Sequence, residues 1–350
     1  MGTVGTVKKD ANQLLSHIII YKMYEGMNAV VRFLKNWTLP VAITAGALAY
    51  FAYSNCPYLQ FTKPYAMPVV SIVQPLLIFS MLFLSFCKID VRDLRPRVSH
   101  LWLLLIQIAS FAAICLSLYL FPHIKCGVVL EAAALCLICP TATSASVVTL
   151  KLKGDGADIT MYTLLINLMV ALVVPIFVPL INHHSSDLGF LQYFWQIMAK
   201  VFPLLICPLI AAQLVRLFLP RLHKALTSFH DLAFYLWAVA LGIAIAVTVR
   251  SIVHTNHSVG ELFAIAVVSL VCCALQFGLG RLIGRHYQTP VSSCQALGQK
   301  NTVFAIWLGY TFLNPVTSIA GGFYSIWHNL YNTYQLRKQA TGKNRKSVKQ

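Results

Sequence analysis

Apolar runs of roughly 20 residues, about the length that crosses a bilayer, recur along this chain. Short segments that hold nearly all the lysine and arginine separate them. Read in order, the runs predict helical spans near 37–53, 66–87, 101–121, 127–150 and 159–181. A second set follows near 201–219, 232–249, 262–283, 291–313 and 316–334. Each span of the first set has a counterpart roughly 160 residues later, and an odd number of spans per half sets the halves in opposite orientations. The expected fold is therefore an all-α polytopic membrane protein of about ten transmembrane helices in two inverted five-helix repeats. The repeats occupy 36–182 and 190–335, after a lead-in over 1–35 and before a basic tail over 336–350. Spacing and hydropathy carry the repeat; residue identity between the halves does not.

Composition agrees, with 58% apolar residues against 11% charged ones, whereas soluble domains carry about a quarter charged. The net charge of +17 taken alone suggests a nucleic-acid binder, so the location of the basic residues matters more than their sum. They fall in loops of one parity: Lys88, Arg92, Arg95 and Arg97, then Lys151 and Lys153, then Arg216, Arg221 and Lys224, then Arg281 and Arg285. Loops of the other parity hold little beyond Lys63, Lys125 and Arg250. The positive-inside rule then places both termini in the cytoplasm and assigns the basic tail to orientation and to contact with anionic lipid. The lead-in has only the short apolar run 17–21, too brief for a secretory signal, and Met23 or Met27 could serve equally as the start.

Two spans are interrupted by polar residues. In the fourth, Pro140 precedes Thr141, Thr143, Ser144 and Ser146; proline removes a backbone donor and frees a carbonyl, so a helix break is expected that lines a polar cavity. A kinked helix whose hydroxyls bond back to their own turn is the plainer alternative. The ninth carries Gln295, Gly298, Gln299, Lys300 and Asn301 in the corresponding place. Matched interruptions in two halves point to a carrier's binding site. Lys300 is the sharpest feature, because an ammonium at membrane depth costs at least a few kcal/mol without water, an anion or a partner; otherwise it snorkels or lies in a loop.

Other residues carry less. Glu131 is a candidate proton-coupling carboxylate or an interfacial one. Asn167, Thr163 and Gln276 are expected to bond between helices, and Thr163, close to the break, also suits a substrate contact. Cys136 and Cys139 have a metal-like spacing but no evident second pair, so they are read as packing, and no metal site is assigned. His183 and His184 read as a solvated loop, and Gly280 with Gly284 as a close helix approach. No zinc-protease signature, phosphate loop or hydrolase elbow is present, so the expectation is a non-enzyme without a cofactor.

At Cys139-Pro140 through Lys153-Gly154-Asp155, and again at Gly298-Gln299-Lys300-Asn301, the chain resembles the bile acid:sodium symporter family. The resemblance spans about residues 37–334 and implies a panel domain, a core domain, and fourth and ninth helices that break and cross. It also implies sodium-driven movement of bile acids or other organic anions. Thr141 and Ala142 stand where the family has two glycines, and Ala145 and Ser146 where it has Ser-Asn. Its sodium-binding Glu and Gln fall on Ala296 and Lys300, while Thr163 and Asn301 keep polar positions. A site that loses a carboxylate and gains a fixed ammonium repels sodium.

The expected function is a secondary transporter that moves a small organic anion by alternating access, with Lys300 in place of sodium and transport either sodium-independent or proton-linked. The substrate-contacting set is Thr141, Thr143, Ser144, Ser146, Thr163, Gln299, Lys300 and Asn301, with Pro140 and Gly298 at the breaks. The partners are that anion and the lipid of a plasma membrane, a bacterial inner membrane by the resemblance. Two alternatives stand beside it: a cation/proton exchanger of similar architecture, and a membrane sensor that binds solute without moving it.

Overall fold

A computed structural model describes residues 38–90, 92, 94–181, 189–229 and 232–347; the lead-in and His183-His184 lie outside them. Among the described residues the secondary structure is helical, apart from one isolated antiparallel bridge between Thr141 and Lys300. The helices are α1 (Thr38–Asn55), α2 (Lys63–Cys87), α3 (Val98–Leu120), α4 (Gly127–Ile138), α5 (Ala145–Lys151) and α6 (Gly156–Ile181). There follow α7 (Phe190–Phe218), α8 (Pro220–Ser228), α9 (Leu232–Val253), α10 (Val259–His286), α11 (Pro290–Gly298), α12 (Thr302–Phe312) and α13 (Ser318–Ser347).

Six helical segments are long and apolar enough to cross a membrane: Pro57–Cys87, Val98–Leu120, Gly156–Ile181, Phe190–Phe218, Leu232–Val253 and Val259–His286. Shorter apolar helices occupy Gly127–Ile138 and Thr302–Phe312. Large apolar side chains such as Leu48, Phe51, Ile72, Leu101, Leu217, Phe263 and Leu282 stand exposed on the outside of the bundle. In water so wide an apolar exterior would drive aggregation, whereas against hydrocarbon it costs nothing. The chain is an all-α membrane protein.

Several predicted boundaries move. The fourth run, read as 127–150, divides into α4 and α5, and the ninth, read as 291–313, into α11 and α12. The sixth begins at Phe190 and not at 201, and the tenth continues as helix to Ser347 rather than ending at 334. Hydropathy marks where a helix leaves apolar surroundings; the hydrogen-bond ladder continues while the next residues favour it.

Two groups of helices pack among themselves. One is α1, α2, α7 and α9; the other comprises α3 to α6 and α10 to α13. They meet where α6 packs on α7 and where α9 lies against α12 and α13. Close approaches are made by glycine: a Cβ on Gly46 would lie 2.4 Å from the Gly242 carbonyl, joining α1 to α9. Gly280 and Gly284 of α10 face the backbone of α11, as their spacing predicts.

Ion pairs tie the helix ends. The Arg97 backbone N–H donates to His100 Nδ1 at 3.2 Å, which leaves Nε2–H to donate to Asp158 Oδ1 at 3.0 Å. Both side chains are 2% exposed, and Arg97 also reaches Asp158 at 3.4 Å and the half-exposed Asp155 at 3.0 Å. Removing a partner from a buried pair leaves an uncompensated group, whereas exposed pairs contribute little. Asp158→Asn is therefore expected to cost about 3 kcal/mol. Asp155→Asn, which keeps a side-chain oxygen for the α6 N-terminus, should cost under about 1 kcal/mol; thermal melting of the two variants checks the order.

Between α2 and α3, the Arg92 backbone N–H and the Arg216 side chain hold the Asp90 carboxyl below its ordinary value. A depressed carboxylate contributes fully above its unfolded value and loses that contribution as pH falls through its lowered folded one. Asp90→Asn should therefore lose a little stability at neutral pH and none at strongly acid pH, which flattens the acid limb of the profile; thermal melting across pH reads it.

Candidate functional site: the crossing of two helix breaks

Pro140 cannot donate a ladder hydrogen bond, and α4 stops two residues before it. Cys139 turns to extended backbone (φ −50°, ψ 136°), and the chain resumes helix only at Ala145. The second break is shorter: α11 ends at Gly298, Gln299 is extended, and Asn301 caps α12 by accepting the Phe304 N–H at 3.2 Å.

The breaks lie against each other. Ala142 N–H donates to the Gln299 carbonyl at 2.9 Å, and Asn301 N–H donates to the Pro140 carbonyl at 2.8 Å. Thr141 Oγ1 donates to the Ala296 carbonyl at 2.7 Å, and Gln299 Nε2 donates to Ser144 Oγ at 2.9 Å. A helix end that loses its ladder must pair its last carbonyls elsewhere. Gln107 of α3 supplies this for α4, its Nε2 donating to the carbonyls of Ile138 (3.1 Å) and Cys139 (2.9 Å). Tyr162 fixes that amide by donating to Gln107 Oε1 at 2.9 Å. Gln276 Nε2 donates to the Cys136 carbonyl at 3.2 Å, and Tyr324 donates to the Gly298 carbonyl at 2.8 Å.

Gly298 is required by packing: a Cβ there would lie 2.3 Å from the Phe277 ring. Gly298→Ala is expected to destabilise by about 1–3 kcal/mol, less where Phe277 can rotate away, and denaturant unfolding reads it.

Lys300 occupies the middle of the second break. Its side chain is 1% exposed and its Nζ has no hydrogen-bond partner. Among the described residues no carboxylate comes within ion-pair distance of it. The thiols of Cys139, Cys136, Cys272 and Cys273 lie near enough to act on it electrostatically. Sequence reasoning saw no second cysteine pair beside Cys136 and Cys139; α10 brings Cys272 and Cys273 there. All are free, and among the described residues no group of three or more His, Cys, Asp or Glu could hold a metal ion.

Thr141, Ser144, Gln299, Lys300 and Asn301 thus come together, with Pro140 and Gly298 supplying carbonyls. Ser146 Oγ bonds back to the Thr143 carbonyl at a long 3.4 Å, and Thr143 and Ser146 stay part-exposed. Thr163 is buried but, contrary to the expected bond between helices, spends its hydroxyl on the Ile159 carbonyl of its own turn at 2.8 Å. Asn167 forms no interhelical bond, contrary to expectation; both its side-chain polar atoms are buried without partners. Gln276 does bond between helices, and Glu131 accepts from the Asn314 N–H at 3.4 Å. Sequence reasoning missed Gln107, Tyr162 and Tyr324. The signal for the first was a lone amide within an otherwise apolar run, Leu103-Leu104-Leu105-Ile106-Gln107.

No family model matches the chain, and no curated protein matches it.

Proposed function

We propose that the chain is a secondary transporter that moves a small organic anion by alternating access, with its spans arranged as two inverted five-helix repeats. Lys300 takes the place that a coupling cation holds in the bile acid:sodium symporters, so transport is independent of sodium. The protein belongs in this reading to a plasma membrane, with both termini in the cytoplasm.

The observation that carries the reading is a buried lysine amine without a hydrogen-bond partner at the junction of two broken helices. Burying a charge without partners costs several kcal/mol, and such a group persists where a ligand meets it. An anion answers that demand and a cation does not, which weighs against a cation/proton exchanger. No covalent chemistry is needed.

The test is thermal stabilisation of the purified chain by a panel of organic anions in sodium and in choline buffer. Stabilisation by the same anion in both buffers, followed by its uptake into proteoliposomes without sodium, is the expected result. Dependence on sodium would overturn the role given to Lys300, and binding without uptake would make the protein a sensor.

A further inference from the structure

At the end of α9, remote in sequence from both breaks, the last helical turn and the loop after it face the end of α12 across a cleft of about 340 Å³. Arg250, His254, His257, Tyr310 and Asn314 line it. Its walls come from both helix groups, Arg250 from one and Tyr310 with Asn314 from the other. Arg250 is half-buried and donates from Nη1 to the Tyr310 hydroxyl at 3.1 Å. Among the described residues no carboxylate lies within ion-pair distance of that guanidinium.

The nearby acids are directed elsewhere. Glu261 accepts from Ser258 N–H at 3.0 Å and approaches His257 Nδ1 at 3.3 Å, capping the start of α10. Glu131 lies behind Asn314 and accepts from its backbone N–H. Neither lines the cleft. His254 Nε2 meets the Tyr50 hydroxyl at 3.0 Å, which fixes the ring at the rim.

We infer that this cleft is a binding site for a small carboxylate, with Arg250 as the anchor and the Tyr310 hydroxyl and Asn314 as flanking polar contacts. The guanidinium fork matches the two oxygens of a carboxylate and is the side chain that recognises one bidentately. A cleft of this size is at the low end of ligand sites, which run from about 300 to 1,000 Å³, and favours a compact acid over a large one. The site rests on the transporter reading for its purpose: a solute captured between the two helix groups is held where their separation would admit it. A basic residue in the last turn of α9 also favours the helix dipole, but that alone does not require the cleft or the hold on Tyr310.

The experiment compares hexanoate with hexanamide as stabilisers of the purified full-length chain, in wild type, Arg250→Gln, Arg250→Lys and Tyr310→Phe. Wild type should be stabilised by millimolar hexanoate and not by the neutral amide. Arg250→Gln should raise the half-saturating concentration about tenfold or more, the worth of a charge-assisted hydrogen bond, with Arg250→Lys between them. If Arg250→Gln does not fold, the Lys and Phe variants carry the same comparison at smaller shifts. Equal stabilisation of all variants overturns the inference, as does a wild type indifferent to hexanoate. Stabilisation by a short-chain phosphatidylglycerol in place of hexanoate overturns it too, and assigns the cleft to a lipid headgroup. Hexanoate uptake into proteoliposomes separates the two proposals. Arginine-dependent binding without uptake keeps the cleft and removes the carrier; uptake unaffected by Arg250→Gln keeps the carrier and removes the cleft.

Discussion

Lys300→Met is expected to raise the melting temperature of the protein while abolishing its response to those organic anions whose stabilisation survives Arg250→Gln. The ammonium is buried with no hydrogen-bond partner, so the folded state bears its desolvation without an ion pair in return. Methionine has nearly the same length and volume and can fill the same space near the thiols. Exchanging buried charge for apolar volume has proved neutral or stabilising by about 1–4 kcal/mol in other proteins. Gain of stability with loss of binding marks a residue kept for function. Lys300→Gln separates charge from hydrogen bonding: it should also lose anion binding and should gain less stability than methionine. A Lys300→Met protein that is less stable than wild type, or that binds anions unchanged, would falsify the role assigned to this side chain.

The second large effect lies on α10. Gly280→Ala places a methyl group 2.4 Å from the Ser293 carbonyl and 3.0 Å from the Cys294 Cα, both backbone atoms of α11 that cannot rotate aside. The helices must separate, at a cost of about 3 kcal/mol, and Gly284→Ala meets the Thr289 carbonyl in the same way at 2.6 Å. Gly278 provides the control within one helix, because a Cβ there meets nothing within 4 Å. Gly278→Ala should gain about 0.5–1 kcal/mol from helix propensity alone. Opposite signs two residues apart, measured by thermal unfolding in one detergent, cannot come from a general intolerance of α10 to alanine. Because α11 carries the second break, Gly280→Ala should also weaken anion binding.

Much of this architecture is legible in the sequence because lipid reduces the choices open to a chain. A run such as Ile159 to Ile181 has no water to satisfy its backbone, so it forms helix or nothing, and hydropathy finds it. Pro140 likewise announces a break, since no fold restores the donor it lacks. The partners of the break were harder to see. Nothing local distinguishes Gln107, which closes two carbonyls of α4, from Gln74, whose Nε2 is buried without a partner. That difference depends on which helix stands opposite. Asn167 failed for the same reason: a polar residue in a span implies a partner, yet its identity and even its presence are tertiary facts. The cysteines near Lys300 come from segments more than 130 residues apart in sequence, beyond the reach of any spacing rule.

The crossing also constrains the order in which the chain can assemble. Thr141 and its acceptor Ala296 are 155 residues apart, and Ser144 is as far from Gln299. At synthesis, α4 must therefore wait while α5 to α10 are made and placed. With 12 residues it is about 18 Å long, short of the roughly 30 Å of a hydrocarbon layer, and it cannot settle as an independent span. Contacts so distant in sequence form slowly, because the intervening chain must be ordered first. Gln107 and Tyr162 can close the α4 carbonyls early, since they arrive with neighbouring helices, and so hold an incomplete first half in a form fit to receive the second. A chain halted before α11 would leave the Thr141 hydroxyl and the Ala142 N–H without their acceptors, an incompletely paired state in the membrane.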